Sequence, residues 1–450
     1  MRTTFLALVD QAPTAAALID GTSGDVTTRL QLRQRGEEIA SRLHASGIHR
    51  GDALAIQLPN GVDFVAAFLA ALELGLVAIP IDRDAPETEV GKILAHFAVR
   101  GLVYHAGRQT TSVSIREIPH GPVLPAGARL VKLTSGSTGL PKGIVTTEAN
   151  LIADCRNICR TMRITSRDLN LGAIPFSHSY GFSNLVTPLL LEGVPVVFSN
   201  DYLPQALVDL ANRYSCTVAP LIPMALAHLT TAAHGEFETV RTFISAGAPL
   251  PATTSRRFRE RFGIDIHSFY GCSECGGIAY DRRGGAVERE TVGTAMDGVS
   301  LTIDGARLRI QSAAVAAGHL IDARTFVPIE ASTFMSDDLV EFRDGELALT
   351  GRAGDLINTA GKKVNPREVE AVILQIDGVR EVKVYGEAAG ARGEVVAAAI
   401  VATPNITRDQ IREFCRERLS SHKVPRIVKL IDEMPVDERG KVKRAALEAL

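Results

Sequence analysis

The chain has 450 residues, 49 basic against 51 acidic side chains, a formal net charge of −2 and 46% hydrophobic residues. That length exceeds what one core usually holds, so two or more domains are expected, and the near-neutral charge gives no reason to expect nucleic acid or an anionic membrane as partner. No stretch approaches the ~18 uninterrupted apolar residues of a membrane span, the apolar run 5–9 is too short for a signal peptide, and six cysteines are too sparse for a disulfide scaffold, so a cytoplasmic protein is expected.

Residues 30–43 carry apolar side chains at helical spacing, and Gly47 and Gly51 punctuate before the alternating run 53–58, which reads helix, turn, strand. A helix over 62–74 leads to a short apolar strand at 77–81, and a helix over 86–98 leads to a strand at 101–104. Strands at 128–133 and 144–147 bracket a glycine-rich segment, followed by a helix over 148–162 and a strand at 169–174. Alternation continues through 185–191, 194–198, 204–214 and 216–218, with apolar strands at 240–245 and 264–270. Helices alternating with short apolar strands argue for α/β architecture with doubly wound parallel sheets. No G-x-G-x-x-G follows the early strands, which removes the standard dinucleotide fingerprint. From 293 to 350 short alternating segments with Asp304-Gly305 and Asp344-Gly345 turns suggest a small antiparallel sheet. Beyond Gly354 a helix opened by Pro366, strands at 379–385 and 395–402 and a helix over 407–419 read as a smaller α+β domain. The expected domains are 1–352 and 353–450.

The glycine-rich segment is Leu133-Thr134-Ser135-Gly136-Ser137-Thr138-Gly139-Leu140-Pro141-Lys142-Gly143. Glycines let the backbone turn where a Cβ would clash, so that successive N–H groups converge on an anion while hydroxyls and a lysine add donors. Such chemistry suits phosphate. It is not a Walker A loop, because Pro141 stands where that motif needs glycine and no Ser or Thr follows Lys142. Two more glycine-bearing loops, Ala246-Gly247-Ala248-Pro249 and Gly271-Cys272-Ser273-Glu274-Cys275-Gly276-Gly277, follow expected strands. Ligands of open α/β sheets gather at the carboxyl ends of strands, so all three loops are candidates for one crevice. Cys272 and Cys275 form a single pair with no second pair at zinc-site spacing.

Residues 134–143 closely resemble the phosphate loop of the ANL superfamily of adenylate-forming enzymes, and the resemblance runs from about residue 27 to the C-terminus. Tyr270-Gly271-Cys272-Ser273-Glu274 resembles the family's Tyr-Gly-x-Thr-Glu element. There the tyrosine stacks on adenine, the hydroxyl contacts phosphate and the glutamate helps hold Mg²⁺. Serine keeps the hydroxyl, and an acid beside polyphosphate calls for a cation between them. Asp338, in Phe334-Met335-Ser336-Asp337-Asp338-Leu339, resembles the ribose-binding aspartate. Asp337 stands where the family has glycine, which leaves Asp337 or Asp338 facing the sugar, with Asp338 favoured by register. Arg352 matches the second ribose contact.

By the same resemblance Gly440-Lys441-Val442-Lys443-Arg444 contains the catalytic lysine, Lys441. A lysine that bridges the attacking carboxylate and the α-phosphate would stabilise two anions brought together. Lys443 is an added cation with no family role, and the basic residues from Lys423 onward otherwise read as a solvated face. His178, in Pro175-Phe176-Ser177-His178-Ser179-Tyr180-Gly181, matches a position at the mouth of the acyl pocket. Amino-acid-activating relatives place an acid nearby, and this segment has none, so a carboxylic acid without an α-amino group is expected. The small residues Gly247, Ala248 and Gly276 suit an aromatic ring or a chain.

The resemblance implies an acid–thiol ligase using ATP, Mg²⁺ and coenzyme A, with a carrier-protein phosphopantetheine as the alternative acceptor and a C-terminal domain that rotates between half-reactions. A hydrolase is the rival class, since 177–181 looks like a nucleophile elbow, but its first position is serine where the sharp turn wants glycine. A non-catalytic nucleotide binder of the same fold is the third reading. The presence together of Lys142, Glu274, Asp338, Arg352 and Lys441 speaks against it.

Overall fold

The computed structural model describes residues 1–106, 111–115, 121–134, 141–359, 362–388, 394–436, 442, 446–447 and 449. It is an α/β protein with two large sheets, a small antiparallel sheet and a small C-terminal α/β layer, as the sequence pattern implies.

The first large sheet has eight strands. Its parallel centre is Val77–Pro80, Ala53–Gln57 and Gly101–His105. On one side the hairpin Ala128–Thr134 and Lys142–Thr147 extends it, and Gly318–Asp322 with Thr325–Pro328 complete that edge antiparallel. The alternation over 293–350 predicts a single small sheet, but these last two strands leave it. A period of two fixes which face a residue lies on and says nothing about which partner a strand takes.

The second large sheet has nine strands in the order Thr294–Ala295, Gly276–Tyr280, Ile266–Cys272, Thr242–Ser245, Val218–Leu221, Asn170–Gly172, Val196–Phe198, Ala16–Asp20 and Val26–Thr28. The six from Ile266–Cys272 to Ala16–Asp20 run parallel, with antiparallel strands at both edges. The N-terminal hairpin is new information from the structure, because its first strand pairs with Val196–Phe198, far along the chain.

The helix Val62–Leu74 is buried from Phe64 to Leu72 without a break, as befits a helix covered on all sides. Gly75, at φ 68°, ends it in the left-handed conformation that glycine adopts without a Cβ penalty. Glu148–Met162 starts directly after the strand Lys142–Thr147. Thr147 accepts from the Asn150 N–H and the Asn150 side chain bonds back to the Thr147 N–H, a reciprocal cap that lets strand pass into helix with no linker.

A four-stranded antiparallel sheet follows the order Val299–Asp304, Arg307–Ser312, Thr333–Arg343, Glu346–Arg352. The chain divides into two compact units, Met1–Leu301 with Ile310–Phe334, and Thr302–Arg309 with Met335–Leu450. In the second unit, Asn365 and Arg367 at the start of the helix Pro366–Ile373 donate to the carbonyls of Thr350 and Leu349. Its core packs Val369 and Ile373 of that helix, with Ile411 and Cys415 of Arg408–Arg418, on Val384, Val396, Ala398 and Ile400 of the strands Val379–Ala388 and Glu394–Ala402. Among the described residues no helix is long and apolar enough to cross a membrane.

Candidate active site

In the first unit the segment from Pro175 to Phe182 turns sharply at the end of the strand Asn170–Gly172. Buried Asn60 fixes it by accepting from the Phe176 N–H at 2.7 Å and donating to the Ile174 carbonyl at 2.8 Å. Phe176 and Phe182 are buried and meet Phe64 and Phe68 edge to face, with centroids 5.7 and 4.9 Å apart. Gly181 is obligatory because a Cβ there would lie 2.0 Å from the Pro175 carbonyl oxygen. A single π-helical turn, Phe182–Val186, follows, a distortion that recurs near functional sites.

This turn presents three polar side chains. His178 has Nε2 at 3.3 Å from Oδ2 of Asp82, which comes from the loop after the strand Val77–Pro80 and also accepts from the Asp84 N–H at 3.0 Å. The sequence offers no acid within the 175–181 segment, and the structure supplies one from elsewhere. Ser179 Oγ is 2.9 Å from Ser273 Oγ, joining the turn to the loop that carries Glu274. Tyr180 donates its hydroxyl to the Ile244 carbonyl at 3.1 Å, with the Leu221 carbonyl at 3.4 Å, and its ring lies 5.9 Å from that of Phe269. Burial pushes the Tyr180 phenol well above its ordinary value, so it stays a donor. It spans the carboxyl ends of two neighbouring parallel strands.

The loop between Ile266–Cys272 and Gly276–Tyr280 is held from three directions. Asp154 on the helix Glu148–Met162, only 3% exposed, accepts from the Gly277 N–H at 2.9 Å and from the Ser183 hydroxyl at 2.7 Å. Gly276 is left-handed at φ +67°, and a Cβ there would meet Asp154 Oδ1 at 2.1 Å. The Glu274 carbonyl accepts from the Ala316 N–H at 2.7 Å, while the next N–H, that of Ala317, donates to Val145 at 2.9 Å. Those two bonds tie Glu274 to the strand that carries Lys142. Glu274 is half-buried, and no described residue forms an ion pair with its carboxylate. The hydrogen bond with Cys275, then burial, push the Cys272 thiol well above its ordinary range.

Thr134 and Lys142 face each other as the last and first residues of the hairpin strands, with Thr134 Oγ1 donating to the Lys142 carbonyl at 3.3 Å. The Lys142 side chain is exposed. Ser135, Gly136, Ser137, Thr138 and Gly139, between them, lie outside the described residues. Gly247 follows the strand Thr242–Ser245 at φ +89°, with nothing nearer to its Cβ position than Ile222 at 3.8 Å, so the main chain there is open to a ligand. Ala248 is half-buried and Pro249 exposed beside it. Tyr270 stands directly before Gly271, whose Cβ would strike the Gly276 carbonyl at 2.4 Å.

In the second unit Asp338 and Arg352 are cross-strand partners. Oδ1 of Asp338 lies 2.9 Å from Nε of Arg352, and its other oxygen accepts from Ser336 at 3.1 Å. Asp337, 67% exposed, pairs instead with Arg307 at 2.7 Å. Strand alternation sends the two acids to opposite faces, and Asp338 is the one that shares a face with Arg352. Lys441 and Lys443 lie outside the described residues. Sequence reasoning missed Asp154, Asn60 and Asp82. For Asp154 a signal existed, since it shares a helix face with buried Leu151, Cys155 and Ile158.

Glycine loops at strand ends, an acid tied by main-chain bonds to the strand of Lys142 and a C-terminal α/β layer are the features expected of an adenylate-forming enzyme. Residues 5–131 and 125–321 match the AMP-binding enzyme family, and residues 368–441 match the AMP-binding enzyme C-terminal domain. The chain belongs to the AMP-binding enzyme family, as one of its AMP-forming, acyl-CoA-synthetase-like ligases. It is 27% identical to a sulfoacetate–CoA ligase of Cupriavidus necator, over 97% of this chain and 95% of that one. It is 26% identical to a long-chain-fatty-acid–CoA ligase of Mycobacterium tuberculosis, with the same two coverages of 97% and 95%. Its fold is similar to that of an ATP-bound enzyme, MatB, from Rhodopseudomonas palustris, with a TM-score of 0.82 at 24% identity over 100% and 98% of the two chains. It is also similar to o-succinylbenzoate CoA synthetase of Bacillus subtilis, with a TM-score of 0.84 at 22% identity over 99% and 97%.

Proposed function

We propose that the chain is an ATP-dependent acid–thiol ligase that activates a carboxylic acid lacking an α-amino group as its acyl adenylate and passes the acyl group to coenzyme A. The observation that carries this reading is the main-chain tie from Glu274 through Ala316 and Ala317 to the strand of Lys142. It links an acid and a phosphate-loop cation within one short stretch of backbone. Lys142 and the N–H groups of residues 135–139 would hold phosphate oxygens, Ser273 would add a hydroxyl, Tyr270 would face adenine, and Asp338 with Arg352 would take the ribose hydroxyls.

Glu274 suits Mg²⁺. It is an oxygen donor with no ion pair to a described residue, and this metal commonly takes one or two carboxylates beside substrate phosphates. Bound there, Mg²⁺ would neutralise charge on the phosphate oxygens. In the first half-reaction a carboxylate oxygen attacks the α-phosphorus and the bond to the pyrophosphate oxygen breaks. Lys441 would bridge the two anions. In the second, the thiol sulfur attacks the acyl carbon as its proton leaves, and AMP departs with the former carboxylate oxygen. Residues 353–450 would turn between the two steps about Gly354.

Asp82 is engaged by His178 and the Asp84 N–H, which supports a substrate with no ammonium group to pair with it. Coenzyme A as acceptor is supported by relatives that are CoA ligases for sulfoacetate and long-chain fatty acids. Acid-dependent ATP–pyrophosphate exchange over a panel of aryl, short-chain and long-chain acids tests the first half-reaction. Thioester formation with coenzyme A against a phosphopantetheinyl carrier protein tests the second. Absence of exchange with every acid would remove the ligase reading, and transfer to the carrier alone would replace the acceptor.

A further inference from the structure

Cys272 ends one strand and Cys275 directly precedes the next, so the two flank the turn that carries Ser273 and Glu274. The Cys275 N–H donates to the Cys272 carbonyl at 3.3 Å. A four-residue reverse turn of this kind keeps its end Cα atoms within ~7 Å, and bridged cysteines have Cα atoms about 4.4–6.8 Å apart. Cys272 is half-buried and Cys275 buried, so Cys272 is the more exposed residue of the pair. Adenylate chemistry gives neither thiol a task.

We propose that Cys272 and Cys275 form a dithiol modification site that small disulfides close into an intramolecular disulfide, switching off the turn that bears Ser273 and Glu274. The Cys272 sulfur, having lost its proton, attacks one sulfur of RSSR. A Cys272–SR bond forms, and the departing RS⁻ takes up a proton as RSH. Deprotonated Cys275 then attacks the Cys272 sulfur, the Cys272–Cys275 bond forms, and the second RS⁻ leaves as RSH. Two protein thiols are oxidised while one small disulfide is reduced to two thiols. The reduced pair would also bind a trivalent arsenical, R–As=O, forming two As–S bonds and releasing water. The effect on activity rests on the function proposed above, since a closed bridge would pull Ser273 from Ser179 and re-aim Glu274.

The other neighbouring pair is Cys155 and Cys159, whose sulfurs are 4.0 Å apart on successive turns of one helix. Both are buried, so neither offers a first sulfur to an incoming disulfide.

The test treats the reduced full-length chain with oxidised glutathione at alkaline pH, since the Cys272 thiol is held above its ordinary range, then unfolds, alkylates and maps it by mass spectrometry. The expected result is a fall from six free thiols to four, with the two hydrogens lost from the 272–275 segment. Dithiothreitol should restore both thiols. C275S should stop at a mixed disulfide on Cys272, and C272S should leave Cys275 untouched. Phenylarsine oxide should be retained by the reduced chain and released by either variant, and pyrophosphate exchange should fall at least tenfold on closure. A bridge at Cys155–Cys159, a lasting mixed disulfide on unmutated Cys272, or six retained thiols would overturn the site. Closure with an unchanged exchange rate would overturn the switch. Absence of exchange in the reduced chain would count against the ligase reading alone, because mass and arsenical retention are read without it.

Discussion

Asp154 accepts the Gly277 N–H at 2.9 Å with one carboxylate oxygen and the Ser183 hydroxyl at 2.7 Å with the other, so one buried acid pins both the loop of Glu274 and the helical turn after His178. Leaving a buried donor without its partner costs about 1–3 kcal/mol. Asp154→Ala is therefore expected to lower stability by at least that much in chemical denaturation and to slow pyrophosphate exchange. Asp154→Asn, which keeps one acceptor oxygen, should recover part of both. An alanine variant as stable as the parent would show that water replaces the carboxylate.

Gly181→Ala tests the turn itself. Its Cβ would fall 2.0 Å from a main-chain oxygen, which cannot swing aside as a side chain can. A cost of about 1–3 kcal/mol is the scale for overpacking. Since the shift moves His178 and Tyr180, the apparent KM for the acid should rise more than that for ATP, and equal rises would place the damage elsewhere.

Much of the architecture is legible in the chain because long periodic segments carry their own signal. The helices Val62–Leu74 and Glu148–Met162 match their expected bounds for that reason. What fails is partner choice. The five residues of Ala16–Asp20 and the alternating Gly318–Asp322 carry no mark of the distant strands they join. The site divides the same way. Glycine loops announce themselves by composition and the Tyr270-to-Glu274 element by its resemblance to a known family, whereas Asp82 and Asn60 act across gaps in sequence that no local pattern encodes.

The opposite facing of Asp337 and Asp338 makes a sharp comparison. Asp338→Ala should weaken ATP binding by about 1.5–3 kcal/mol, the worth of hydrogen bonds to a charged group. Asp337→Ala should change it by less than ~0.5 kcal/mol, as for most surface substitutions. Calorimetric titration decides, and the reverse order would move the ribose contact to Asp337.

Lys441→Ala should slow adenylate formation by roughly 10²–10³-fold, the scale for losing one preorganised donor in a transition state. Thioester formation from supplied acyl adenylate should largely survive. Lys443→Ala serves as control and should matter less. Equal loss in both half-reactions would contradict the role given to Lys441.

Gly354 lies in a short 3₁₀ turn, Ala353–Asp355, with nothing within 4 Å of its Cβ position. Rotation about a pivot needs residues whose dihedrals change greatly, and proline fixes φ. Gly354→Pro should slow one half-reaction at least about tenfold more than the other, a difference of ~1.4 kcal/mol. Single-turnover thiolation set beside pyrophosphate exchange measures both, and matched rates in the folded variant would remove the pivot from this residue.

The strand that carries Lys142 is paired on one side by its own hairpin partner and on the other by Gly318–Asp322, with Leu320 opposite Gly143. On the ribosome the phosphate-loop hairpin emerges early, yet its outer edge stays open until residue 318 has been made. Pairing across such a span is slow, because the closure entropy must be met before any contact rewards it. An open strand edge in the meantime is a template for other chains. Chains truncated between residues 147 and 318 are thus expected to aggregate through this same strand, and the yield of folded protein is expected to fall the longer that edge waits for its partner.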